Sequence, residues 1–128
     1  MADEETMIEL KQEIRPILEK VAHSRKLISY GELASEVGPK ISIPGLIPRD
    51  TRLHRALDEV SIDSFRRDGH LLAVLVVNKR SQRPGPGFFG LAKERLREEG
   101  LNPPYRTNLS DEAVFQDALN KVYDHYRQ

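Results

Sequence analysis

Two basic clusters are the residues of this chain best equipped to hold a nucleic acid. Arg49, Arg52, His54 and Arg55 crowd together, and guanidinium groups suit both phosphates and the edge of guanine in the major groove. Lys79, Arg80 and Arg83 form a second cluster around a turn. The pair Phe88-Phe89 carries faces on which a base can stack, although packing in a core is the commoner use of such residues. Chemistry that cleaves or transfers is harder to find. The chain has no cysteine, which removes disulfides, thiolate metal sites and a thiolate nucleophile together. Its histidines, His23, His54, His70 and His125, show no metal-ligand spacing along the sequence, so neither metal nor cofactor is expected. Asp63 and Asp68 stand without the acid-x-lysine arrangement of a metal-dependent nuclease strand, and Val76-Val77-Asn78-Lys79 lacks the acid. Arg83-Pro84-Gly85-Pro86-Gly87 offers too few N–H donors to cradle a phosphate. Binding without catalysis is the expectation.

Charge supports that emphasis on the centre. Residues 1–20 hold three Lys/Arg against six Asp/Glu, and residues 98–128 repeat the same balance, whereas residues 21–97 hold fourteen against eight. A basic middle between acidic flanks suits a phosphate-facing surface, although solvated charged side chains alone would give the same pattern. With 38% hydrophobic and 31% charged residues, the chain fits one helix-rich domain with a modest core. The longest apolar run, Leu71–Val77, is far too short to span a bilayer. The N-terminus is acidic where a secretion signal would be basic. The expectation is a cytoplasmic protein with no membrane partner.

These residues need elements to position them. Met7, Leu10, Ile14, Ile17, Leu18 and Val21 recur at helical spacing, with Pro16 either kinking that helix or starting a shorter one. Ser29-Tyr30-Gly31-Glu32 is a capping box that opens a short helix, which Gly38-Pro39 ends. A loop with Pro39, Pro44, Gly45 and Pro48 follows. Asp50 or Thr51 then caps a second helix, buried along Leu53, Ala56, Leu57 and Val60. His70–Val77 reads as a strand, the segment 78–87 as a turn and Phe88-Phe89 as the returning strand, before a helix over Leu91–Glu99. Ser110 caps the last helix, whose apolar face is Phe115, Ala118, Leu119, Val122 and Tyr126. Two short helices followed by a β-hairpin predict an α+β fold, a winged helix-turn-helix core over residues 28–97. Flanking helices at 1–27 and 101–128 complete a single domain, and the second helix of such a core enters the major groove.

The stretch Ile28-Ser29-Tyr30-Gly31-Glu32-Leu33-Ala34 resembles the opening of the DNA-binding domain of O6-alkylguanine-DNA alkyltransferases and alkyltransferase-like proteins. Gly87-Phe88-Phe89-Gly90-Leu91-Ala92-Lys93-Glu94-Arg95-Leu96 resembles that domain's closing stretch. The resemblance implies a double-stranded DNA partner. It matches Tyr30 to the tyrosine that assists nucleotide flipping, and either Arg52 or Arg55 to the arginine that fills the vacated stack. The chain departs from the family in three places. Val77-Asn78-Lys79-Arg80 occupies the position of the reactive Pro-Cys-His-Arg, and the Asn78 amide is no nucleophile. Ile41–Pro48 lengthens the turn between the two helices, and Arg66-Arg67 lies where the family has a short connection. Alkyl transfer to cysteine is therefore excluded, and the resemblance points to the branch that binds DNA without repairing it. The alternative is a winged helix that binds a protein, or a second copy of itself, through its acidic flanking helices.

Overall fold

Helical spacing at the N-terminus is realised over a longer span than the apolar residues mark. In the computed structural model, which describes residues 2–43 and 45–127, α1 runs Ala2–His23. Pro16 lies inside this helix rather than at the start of a shorter one. Met7, Leu10, Ile14, Leu18 and Ala22 are buried, with Ile17 and Val21 packed at the margin of the core. The loop residue Pro44 falls outside the described residues.

The capping box forms as its residue types dictate. The Ser29 hydroxyl accepts from the Glu32 amide at 3.1 Å, and the Glu32 carboxylate accepts from the Ser29 amide at 3.2 Å, which satisfies otherwise orphaned donors at the helix start. Helix α2 spans Tyr30–Val37 and passes into a 3-10 turn over Gly38–Ile41. Asp50 caps α3, Thr51–Asp68, by accepting from the Arg52 amide at 2.8 Å. Leu53, Ala56, Leu57 and Val60 bury as expected. The helix also absorbs the Arg66-Arg67 segment and stops only at Gly69, which takes the left-handed conformation with φ +80°.

Residues 70–93 depart from the expected hairpin. His70–Val77 is not a continuous strand: Leu72–Leu75 is a 3-10 turn, and only Val76–Val77 forms a strand, β2. Its partner is β1, Ile28–Ser29, paired in parallel with Ile28 opposite Val76 and Ser29 opposite Val77. The reason lies on α3. Ser61 accepts from the Ala73 amide at 2.8 Å and Ser64 from the Leu72 amide at 3.1 Å, both hydroxyls being buried. Side chains thus satisfy N–H groups that a strand would have presented to a neighbour. Phe88-Phe89 does not return as a strand either. Gly85 and Pro86 open helix α4, Pro86–Lys93, where the proline stands at the first helical position with its fixed φ and missing donor at no disadvantage. A 3-10 turn over Arg95–Glu99 replaces the rest of the expected helix. Ser110 caps α5, Asp111–His125, as read from sequence. The architecture is α+β: helices around one small parallel pair, with the apolar run Leu71–Val77 buried against α1, α3 and α5.

Candidate nucleic-acid interface

Three distant segments meet at Tyr30. The capping box and the β1–β2 pair fix the start of α2, and Tyr30 is its first residue. Its ring stacks on His54 of α3, with centroids 5.0 Å apart and planes inclined by 29°. Its hydroxyl accepts from the Gly85 amide at 3.0 Å. Burial pushes the phenol pKa up, the Gly85 hydrogen bond works against that shift, and Asp58 adds to it. Tyr30 therefore stays protonated at neutral pH. His54 lies 2.8 Å from the Pro48 carbonyl through Nε2. A carbonyl only accepts, so this geometry assigns the proton to Nε2.

The cations around this junction fall into two groups. Arg49, Arg52 and Arg55 at the start of α3, and Lys79 and Arg80 on the loop before Gly85, are all exposed. Two of these already have carboxylate partners. Arg52 grips Asp50 with Nε at 3.0 Å and Nη2 at 2.7 Å, which holds that carboxyl below its usual range. Arg55 pairs with Glu59 at 3.5 Å but leaves 71% of its side chain exposed. Arg83 forms the second group. Its guanidinium donates to both oxygens of Glu112 at 2.7 and 2.8 Å and covers the Phe115 ring at 4.4 Å. This is a contact with α5, not with the surface around Tyr30. The loop itself closes through Asn78 N to Arg83 O at 2.9 Å and Gln82 N to Asn78 O at 2.8 Å.

No family model, curated protein or solved structure matches this chain. What the site can do thus rests on its own geometry. A binding surface is available at the exposed start of α3 and the Lys79–Arg80 loop. A pocket for an extruded base is harder to locate. The depression beside Tyr30 is lined by Ser29, Gly31, Glu32, Ser35, Glu36 and Lys79, which supply polar edges and no aromatic wall. Phe88 and Phe89 pack edge to face at 5.4 Å and are 6% and 7% exposed, so their rings serve the core.

Several structural partners went unread in the sequence. Asp58 and Arg95 pair at 2.9 Å, and Arg95 also donates to the Gly87 carbonyl at 2.5 Å. Together they tie α3 to the opening of α4. The sequence offers no local signal for this pair, because 37 residues separate its members. Glu112 is the acceptor that holds Arg83, and their separation of 29 positions likewise leaves no local signal in the sequence.

Proposed function

We propose that this chain is a non-catalytic binding domain for double-stranded DNA, working in the manner of the alkyltransferase-like proteins its motifs resemble. The observation that supports this most is the convergence of Tyr30, His54 and Gly85. It joins the start of α2 and the start of α3, where the resemblance places Tyr30 and either Arg52 or Arg55, to the end of the basic loop. In this reading the start of α3 enters the major groove with Arg52 and Arg55, and Arg49 lies on the backbone beside it. Lys79 and Arg80 contact phosphates from the loop, which takes the place of a winged helix's hairpin. Tyr30 stands beside the base stack.

The test is fluorescence anisotropy of a labelled duplex of about 20 base pairs, with and without one O6-methylguanine. Saturable binding at low salt with a preference for the modified duplex is the expected result. No binding at low salt would overturn the DNA reading. A protein-binding domain is the second reading. It is favoured by Ile8, which leaves 55% of its surface exposed on α1, and by the carboxylates that already occupy Arg52, Arg55 and Arg83.

A further inference from the structure

On the far side of the core from Tyr30, the fold gathers groups that the sequence keeps well apart. Asp68 is the last residue of α3, and the left-handed turn at Gly69 sends the chain back inward at His70. His125 is the last residue of α5. The Asp68 carboxylate oxygen Oδ2 lies 3.7 Å from Nε2 of His70 and 3.7 Å from Nε2 of His125. One donor atom from each of the three residues falls within 4.8 Å of the others. Among the described residues this is the one grouping of histidine and carboxylate that could surround an ion.

A second, independent observation concerns His70. Its side chain is 2% exposed, and neither Nδ1 nor Nε2 has a hydrogen-bond partner. An imidazole always carries at least one lone pair or N–H on each nitrogen, and folded proteins rarely bury such atoms unsatisfied. An ion beside the carboxylate and the second imidazole would take up the lone pair of His70 Nε2, the nitrogen that faces Asp68.

We propose that Asp68, His70 and His125 bind one divalent first-row transition ion, Zn2+ being the simplest occupant. Two imidazoles and one carboxylate suit zinc chemically, and such ions also accept this donor set in other geometries. Zinc bonds of about 2.0–2.2 Å place neighbouring donors roughly 3.4 Å apart in a tetrahedron. The two 3.7 Å separations are thus close to what a bound ion needs. The remaining contraction falls to His125, the more exposed of the two imidazoles at 42%. Outer partners hold the donors in place. Arg67 donates to Asp68 Oδ2 at 2.8 Å, and the Tyr126 ring packs against His70 and His125 with centroids 5.5 and 4.8 Å away. The Tyr126 hydroxyl in turn donates to Glu19 at 3.2 Å. Supports of this sort orient metal ligands and tune their basicity. The ion would clip the end of α3 to the end of α5. Solvent would complete the fourth position, and the site is independent of the DNA reading.

The experiment uses the full chain, stripped with a chelator and titrated with ZnCl2 against a chromophoric competitor. The expected result is one equivalent bound, with a rise in melting temperature. His125→Ala and Asp68→Asn, both changes outside the buried core, should each weaken binding by more than about tenfold and abolish the thermal shift. Co2+ added in place of Zn2+ should give the visible absorption of a low-symmetry nitrogen–oxygen site, lost in the same variants. Failure of the wild-type chain to take up Zn2+, or uptake unaffected by both substitutions, would overturn the proposal.

Discussion

On the proposed DNA-binding reading, replacing Arg52 and Arg55 together by alanine should change how affinity for duplex DNA depends on salt, and the count of exposed cations sets the size of the change. The exposed cations around Tyr30 are Arg49, Arg52, Arg55, Lys79 and Arg80, whereas Arg83 is held by Glu112 and Phe115. Each phosphate contact contributes about −0.9 to the slope of log affinity against log salt, so these five cations predict about −4.5. Between 50 and 200 mM salt that slope means a loss of about 500-fold. With two contacts removed the slope falls to about −2.7 and the loss to about 40-fold. Asp50 and Glu59 compete for the two arginines, which lowers the affinity itself without altering the count of phosphates neutralised. Arg83→Ala is the control and should leave the slope where it was; a sixth contact would have raised the wild-type loss to roughly 1,800-fold. Anisotropy titrations of the three proteins at several salt concentrations, with circular dichroism to confirm folding, decide the matter. An Arg52/Arg55 variant with the wild-type slope, or an Arg83 variant with a shallower one, would refute the assignment of contacts.

Other perturbations test the framework. Ser61→Ala leaves the buried Ala73 amide without its acceptor and should cost about 1–3 kcal/mol in urea unfolding; a loss under about 0.5 kcal/mol would show that the hydroxyl is dispensable. Gly38→Ala would bring a methyl group to 2.7 Å from the Ile43 carbonyl and 3.1 Å from Leu46 Cβ, for an expected destabilisation of about 1–3 kcal/mol. Gly31→Ala is its counterpart, since the nearest contact there is Pro48 Cγ at 3.7 Å, and helix propensity should make it neutral or stabilising on the same denaturation curve. The Glu112 carboxyl should titrate near 2 in an NMR pH series, because Arg83 first and Gln116 second stabilise its charged form, and Arg83→Ala should return it towards its ordinary 4.5. Its folded pKa lies below the unfolded one, so its contribution to stability is present above about 4.5 and disappears as pH falls towards 2. A wild-type Glu112 that titrates at 4.5 would show the ion pair to be absent in solution.

Helix starts were the most legible part of the sequence. Ser29 with Glu32, Asp50 and Ser110 each cap by reaching two or three residues along the chain, so the interaction is written in adjacent letters. The apolar stripes of α1, α3 and α5 were readable for the same reason. The run Leu71–Val77 was not, because a fully buried stretch of branched residues carries no periodicity to separate strand from turn. What decided it, Ser61 and Ser64 beneath it, lies up to 12 residues away. Pro86 did carry a signal for the start of α4, but its place in a Pro-Gly run made it read as part of a turn. The candidate interface shows the same division. The basic residues could be named, yet which of them stay available depended on Asp50, Glu59 and Glu112. The pairing of His70 with His125 spans the whole of the chain from α3's end to α5's end, where spacing along the sequence says nothing.

The parallel pair β1–β2 bears on how the chain reaches this structure. Ile28 meets Val76 across a crossover built from α2 and α3. Closing a flexible loop of that length costs on the order of 3 kcal/mol, more than a ladder of two residues returns by itself. The pair therefore cannot nucleate folding. It forms once α2 and α3 have shortened the gap and docking against α1 has brought its edges together. Tyr30 follows directly after β1, whereas the closed loop of residues 78–83 stands between β2 and Gly85, so fraying of the ladder should loosen the Tyr30 side of the candidate interface first.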